Sequence, residues 1–478
     1  MREIRSFVEG AWVDGEDGGL LRDKYSDEPI GRIHQATPEQ VGRAASGALA
    51  GFAASRLTPY ERFRILARAS ELVHERRDEL ATAVIAETGF ARADAENEVA
   101  RTAETLLLSG EEAKRITGEV VPMGSVPAGS DRIGFTVRRP LGVVCAITPF
   151  NSPLNTVAHK VGPAIAAGNA VVLKPSALTP LGGMLLVELL LDAGLPPDLI
   201  ALVNGEGAAI GDLLLENPIP SFYAFTGSTR VGEHIRKTIG LRRAQLELGS
   251  LSSTIVCDDV DTDGLIEKCL NAAFRKSGQV CTSVQRLYVQ EALVQEFVDR
   301  ATAYLAERSA GDPSDPATYL GPLISRDAAE RVRSWIGEAV ESGADAVTGG
   351  PGGERGMVEP TVLVGVDTTM KVMSQEIFGP VVAIRPFRDL EAAMDELNAT
   401  PYGLAAGIFT SDIGRAFRAA ERLDVGTVHI NESSSSRVDL MPFGGIKASG
   451  TGQEGPKYAI REMTEERLIT IGAIARHA

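Results

Sequence analysis

From residue 141 onward the chain repeats one texture, a short unbroken apolar run followed by a stretch of helical spacing. The runs are 143–147, 170–173, 199–203 and 222–225, and helical segments fall near 153–167, 180–193, 207–216 and 229–239. A strand with one wet face alternates apolar and polar side chains. A strand covered on both faces does not, so unbroken runs of this length predict a parallel sheet with helices on each side. A second series follows at 253–257, 286–289, 381–384, 406–409 and 427–430. The chain has 478 residues, too many for one small core, and two large α/β domains are expected.

The remaining segments read differently. Residues 38 to 117 are helical, and between Pro59 and Arg77 the apolar residues Phe63, Leu66, Ala69, Leu72 and Val73 recur at helical spacing amid charges. Residues 118–138 and 466–472 read as exposed strands far apart in sequence, unstable unless they find partners. The stretch Gly349-Gly350-Pro351-Gly352-Gly353 is a surface turn or loop. A net charge of −16 argues against nucleic acid or an anionic membrane surface as partner. No apolar run reaches the roughly 20 residues that span a bilayer, and the N-terminal residues carry charges and turns, so no targeting segment is expected. Cys145, Cys257, Cys269 and Cys281 lack CxxC or Cys/His spacing, which predicts four free thiols, a cytoplasmic location and no metal site.

One of those cysteines is placed for chemistry. Cys281 follows Ser277-Gly278-Gln279-Val280, a flexible turn that lets backbone amides approach a sulfur closely. Glu247 closes the run Ala244-Gln245-Leu246-Glu247 and supplies a base. A nucleophile with a separate base suits chemistry through a covalent intermediate, and a thiolate adds readily to an aldehyde carbonyl. Taken alone, Cys281 reads better as a small buried hydrophobe, the usual fate of a free cysteine.

Seven pieces together decide more. Thr148-Pro149-Phe150-Asn151, Lys174-Pro175-Ser176-Ala177, Phe225-Thr226-Gly227-Ser228-Thr229, Glu247-Leu248-Gly249, Gly278-Gln279-Val280-Cys281, Glu376-Ile377-Phe378-Gly379-Pro380 and Pro442-Phe443-Gly444-Gly445 stand in this order. In order and spacing the chain resembles the aldehyde dehydrogenase superfamily over nearly its whole length. The resemblance implies an α/β fold with a variant Rossmann cofactor domain (1–117 and 139–248) and an α/β catalytic domain (249–465). It also implies a small β oligomerisation arm (118–138 and 466–478) whose last strand completes a sheet in a neighbouring subunit, giving a homodimer or homotetramer.

The resemblance further implies that Cys281 attacks the aldehyde, that Asn151 and the Cys281 backbone N–H hold the oxyanion, and that Glu247 activates water to hydrolyse a thioester. Lys160 and Glu454 form a proton relay behind it. CoA-acylating relatives lack the base, so Glu247 points to the hydrolytic branch. Read by itself, Asn151 in Asn-Ser-Pro is a good helix cap, a role that can coexist with the first.

For the cofactor, Gly205-Glu206-Gly207-Ala208-Ala209-Ile210-Gly211 is either a dinucleotide loop or a tight βα turn; its GxGxxxG spacing departs from GxGxxG as the family's own loop does. By resemblance, Ile147, Phe150, Lys174, Ser176, Ala177, Gly207, Thr226, Gly227, Ser228, Leu248, Glu376 and Phe378 line an NAD or NADP site. Lys174 reaches the adenosine ribose, Ser228 the pyrophosphate and Glu376 the nicotinamide ribose. Where many NAD-preferring relatives carry a glutamate, this chain has Ala177, so NADP is expected to serve at least as well as NAD.

The expected substrate contacts are Arg101, Ser152, Thr156, His159, Val280, Thr282 and Arg437. Arg101 and Arg437 either converge on a substrate anion or form structural ion pairs; the first alternative means a short polar or anionic aldehyde, the second a broad range of neutral ones. A silent binding protein or a non-redox thioesterase on the same scaffold would leave unexplained either the intact set Asn151, Glu247, Cys281 and Glu376 or the dinucleotide contacts.

Overall fold

The computed structural model describes residues 1–129, 131–308 and 310–472. Of the expected arm, residues 473–478 lie outside this description. The first layer is an eight-stranded sheet in the order Gly450–Thr451, Arg243–Glu247, Phe222–Thr226, Val143–Ile147, Ala170–Lys174, Ile200–Leu202, Ser6–Val8, Ala11–Val13. Its five central strands are parallel, and three antiparallel strands close the edges. Burial explains the apolar texture, since Val143, Val144, Cys145 and Ala146 are all fully buried beneath helices. The chain order along the parallel part reverses direction beside Val143–Ile147. Such a switch point opens a crevice at the carboxyl ends of the strands, where Ile147 and Thr226 lie.

The second layer has seven strands, Asp345–Thr348, Thr361–Val364, Val381–Phe387, Arg286–Gln290, Ser253–Val256, Ala405–Phe409 and Thr427–Ile430, parallel except for the first pair. The Gly/Pro-rich stretch at 349–353 lies in the loop joining Asp345–Thr348 to Thr361–Val364. Four helices, Pro38–Ala54, Pro59–Glu75, Arg77–Thr88 and Arg92–Ala113, fill the predicted helical region. The helix Pro59–Glu75 starts at a capping box in which Thr58 and Glu61 satisfy each other's backbone N–H groups.

Two features depart from expectation. The strands Ser6–Val8, Ala11–Val13, Glu16–Arg22 and Pro29–Gln35 precede the helices, in a region where no strand was anticipated. Residues 450–463 pack with the first layer: Gly450–Thr451 pairs with Arg243–Glu247, and Ala459, Ile460 and Met463 join its core. The strand Thr464–Gly472 pairs along its whole length with Arg132–Pro140 of the same chain. Val120–Val121 adds a third strand on the far side.

Asn169 ties this C-terminal piece to the first sheet. Its buried side chain accepts the Gly142 N–H at 2.9 Å and donates to the Met463 carbonyl at 3.0 Å. Asn169→Ala strands two buried backbone groups and should destabilise the protein by about 2–4 kcal/mol. In a urea titration followed by near-UV circular dichroism the transition should come earlier; an unchanged midpoint would refute this reading.

Candidate active site

The reactive side chains come from chain ends that the two layers bring together. Glu247 is the last residue of its strand and stands in register with Thr226. Asn151 lies just past the strand Val143–Ile147. Cys281 follows a turn in which Lys276, Ser277 and Gly278 all adopt positive φ (53°, 54° and 71°). A Cβ on Gly278 would stand 2.0 Å from the Gly379 carbonyl oxygen, so the turn closes against the Glu376 loop only with glycine there.

Asn151 Nδ2 donates to the Gln279 carbonyl at 2.8 Å, joining the two loops across the seam and leaving a second amide N–H for a ligand. It is not a helix cap. The helix Asn155–Ala167 starts later, and Glu98 Oε1 accepts the N–H groups of Leu154 (2.9 Å) and Asn155 (3.4 Å).

Behind Glu247 lies a buried charge cluster. Lys160 Nζ donates to Glu454 Oε1 at 2.8 Å, Thr226 Oγ1 to the same oxygen at 3.1 Å, and Arg437 Nη2 to Oε2 at 2.9 Å. Burial alone would push the Glu454 carboxyl up, but Lys160 and Arg437 outweigh it and hold it well below the usual range. Glu247 goes the other way: burial and the neighbouring Glu454 charge raise its pKa, against the Cys281 thiol, Arg437 and Lys160. Its Oε1 is buried with no hydrogen-bond partner among the described residues, as expected of an acceptor kept for a reacting group. Burial and the Glu247 carboxylate also push the Cys281 thiol up, so it rests protonated beside its base.

Two cavities meet at these residues. A cleft of about 830 Å³ is lined by every residue expected to bind the cofactor, Ile147, Phe150, Lys174, Ser176, Ala177, Gly207, Thr226, Gly227, Ser228, Leu248, Glu376 and Phe378. A pocket of about 60 Å³ lies on the other side, and Asn151, Thr226, Glu247 and Cys281 line both. The cleft fits a dinucleotide. Glu376 is half-buried, its pKa raised by desolvation to about 7, and among the described residues its carboxylate accepts only the Ser250 N–H, at 3.0 Å. The Lys174 ammonium, lowered by burial to about 8, meets only the Pro175 carbonyl among the described residues, at 3.3 Å. Phe378, with φ 49°, meets Phe150 edge to face at 5.8 Å. Ser228 caps the helix Thr229–Thr238, whose N-terminus suits a pyrophosphate. The sequence reading missed Glu206, an acidic neighbour of Lys174 on the same wall.

The small pocket gathers Arg101, Ser152, Thr156, His159, Val280, Thr282 and Arg437, all expected substrate residues. The two arginines, however, are spoken for. Arg101 grips Asp439 through two bonds of 3.0 and 2.7 Å, and Arg437 is bound to Glu454 and stacked 3.9 Å over the Phe443 ring. His159 shares Asp439 (2.9 Å), and burial and Arg437 depress its pKa. Thr282 Oγ1 lies 3.2 Å from Ser435 Oγ. Arg275, unanticipated, lines the same pocket; it bonds to Ser435 alone (Oγ at 2.7 Å) and makes no ion pair among the described residues. Its signal in the sequence was only a cation six residues before Cys281.

The base role expected of Glu247 from the sequence needs its ionised form, so its raised pKa should bring the acid limb of the deacylation rate to a pH above the ordinary carboxylate range. Glu454→Gln removes the repelling charge while Lys160 and Arg437 remain, so the limb should move to lower pH. A pH–rate profile of thioester hydrolysis checks this, and a limb that stays put or moves up refutes it.

Residues 12–469 match the family model described as the aldehyde dehydrogenase family. A 3-sulfolactaldehyde dehydrogenase of Priestia aryabhattai is 44% identical over 98% of both chains. The NADP-dependent succinate-semialdehyde dehydrogenase of Escherichia coli is 35% identical over 98% of both. The crystal structure of aldehyde dehydrogenase 21 from Physcomitrella patens, in complex with the reaction product succinate, superposes with a TM-score of 0.95 at 35% identity, covering 98% of each chain. An NADP-dependent glyceraldehyde-3-phosphate dehydrogenase from Bacillus halodurans, complexed with NADP, gives 0.95 at 34% over 99% of each. With a family match and full-length relatives of this identity, the chain belongs to the aldehyde dehydrogenase family.

Proposed function

We propose that the protein oxidises a short aldehyde bearing an anionic group to its carboxylic acid, with NADP serving at least as well as NAD. The observation that carries the substrate class is Arg275, a cation without an ion-pair partner among the described residues, in a pocket of about 60 Å³ beside Cys281. That space suits only a few atoms beyond the aldehyde carbon. The relatives support the class, being named for sulfolactaldehyde, glutarate semialdehyde and succinate semialdehyde.

The Cys281 thiol gives its proton to Glu247, and sulfur bonds to the aldehyde carbon. The new oxyanion accepts from the free Asn151 amide N–H and the Cys281 backbone N–H. A nicotinamide held in the cleft by Lys174, Ser228 and Glu376 would supply the acceptor for the hydride that leaves that carbon. The carbon then remains on Cys281 as a thioester. Glu247, its proton passed back through Glu454 and Lys160, takes a proton from water as the oxygen bonds to the acyl carbon and the carbon–sulfur bond breaks. The free acid leaves and Cys281 is restored.

For the cofactor, Ala177 places no carboxylate near Lys174, which favours a 2′-phosphate, whereas Glu206 opposes it. No described helix is long and apolar enough to cross a membrane, and the four cysteines are free; we assign the protein to a reducing, cytoplasmic compartment. We divide the chain as 1–117 with 139–248 for cofactor, 249–465 for catalysis and 118–138 with 466–478 for oligomerisation, moving 450–463 to the cofactor unit by its packing. Along Thr464–Gly472, Leu468 and Ile471 are exposed, and we propose that this strand builds a homodimer or homotetramer.

The test is reduced-cofactor formation with NAD and NADP against matched anionic and neutral aldehydes, with Cys281→Ala as control. Arg275→Gln should raise KM for the anionic aldehyde about 10-fold or more, the worth of a charge-assisted bond, and leave the neutral one within about 2-fold. Arg437→Ala, which frees Glu454, should slow both alike. Equal effects of Arg275→Gln on the two substrates would refute the anion reading, and a much higher kcat/KM with NAD would refute the cofactor preference.

A further inference from the structure

The turn before the nucleophile contains a feature that the catalytic steps above do not use. Lys276 holds a positive φ of 53°, a conformation that costs a side-chain-bearing residue free energy unless its surroundings impose it. Those surroundings are specific. Its buried ammonium donates to Glu98 Oε2 at 2.5 Å and to the Asn151 backbone carbonyl at 2.9 Å, and reaches Ser152 Oγ at 3.5 Å. Its own backbone N–H donates to Asp94 Oδ2 at 2.7 Å. Asp94 and Glu98 stand one turn apart on the helix Arg92–Ala113, and Glu98 Oε1 also accepts the Leu154 and Asn155 N–H groups.

One helix therefore grips both loops of the reaction centre. The Asn151 loop is pinned twice, at its backbone carbonyl by Lys276 and at its side-chain amide by the Gln279 carbonyl. Both pins belong to the segment that ends in Cys281. Fixing the carbonyl and one amide hydrogen of the same residue leaves the second amide hydrogen little freedom to turn away. We propose that Lys276, braced by Glu98, is a positioning residue that aims the Asn151 amide at the oxygen of the Cys281 adduct. This rests on the oxyanion role given to Asn151 above.

Lys276→Met alone leaves Glu98 buried and unpaired, so the informative variant is Glu98→Gln/Lys276→Met. The pair is then neutral, and the amide oxygen introduced at position 98 still accepts from Leu154. Turnover is measured per NADP-binding site, counted by fluorescence titration, in this variant, in Asn151→Ala and in the triple variant. Asn151→Ala should lower kcat about 10²- to 10³-fold, as removal of an oxyanion donor does. The double variant should lower kcat about 10-fold with NADP affinity unchanged, and in the Asn151→Ala background it should cost no more than about 2-fold, because two residues acting through one interaction are not additive. Wild-type turnover in the double variant overturns the proposal. So does a further 10-fold loss in the triple variant, which would mean that Lys276 acts elsewhere. An Asn151→Ala enzyme as fast as wild type overturns the oxyanion reading itself, and this inference with it.

Discussion

A carboxylate held between two cations organises the reaction centre. Glu454 is buried between Lys160, from a helix of the first layer, and Arg437, from a loop beyond the second layer's last strand. Buried charges persist only when paired and hydrogen-bonded, so the group fixes the relative position of the elements that carry it. It also fixes the charge balance at the base. Two cations and Glu454 sum to one positive charge, which an ionised Glu247 cancels. Handing the Cys281 proton to Glu247 moves a negative charge from oxygen to sulfur without changing that sum. The cluster thus tolerates the transfer that chemistry needs, although both groups have raised pKa values at rest.

Topology explains why the proposed cofactor cleft and Cys281 face each other. The switch point of the first sheet opens its crevice at Ile147 and Thr226, and the second layer brings Cys281 and Glu376 to the same seam. Cross-seam bonds then set the details: Asn151 to Gln279, Ser250 N–H to Glu376, and Phe443 with Glu454 through their backbones. The Gln285 side chain, four residues past the nucleophile, donates to the Val372 and Gln375 carbonyls and accepts the Ile377 N–H. The loop that carries Glu376 is thereby tied to the strand that follows Cys281, and the two walls of the cleft keep a fixed spacing.

The parts of this arrangement that were legible in the sequence share a cause. Strands buried on both faces leave unbroken apolar runs, and 143–147 and 427–430 were read with their observed ends. Arg243–Glu247 opens on a charged residue and carries a buried Gln245, so the run from Ala244 drew notice for the carboxylate at its end and was not counted among the strands. Ser6–Val8 is three residues long, too short for a pattern to show. At the site, the motif residues were legible only through the resemblance of seven short pieces, in order and spacing, to one family; each piece alone was weak. Ion pairs were not: Arg101 with Asp439 and Lys276 with Glu98 join residues far apart in the chain, and no local pattern announces them.

The same distinction bears on substrate charge. Arg101, Arg437 and Lys276 all border the small pocket, and each has a carboxylate partner already. A paired cation still adds to the local field, but an incoming anion gains little from it, because drawing it away exposes the buried carboxylate it leaves behind. Arg275 carries no such penalty: among the described residues its bonds go to Ser435, a neutral group, and burial and Arg101 make its charge costly, with Asp94 offsetting part of that cost. On the proposed reading an anion on the substrate would offset the rest. On the proposed reading, discrimination between anionic and neutral aldehydes rests mainly on Arg275, which makes no ion pair among the described residues, rather than on the number of positive charges around the pocket.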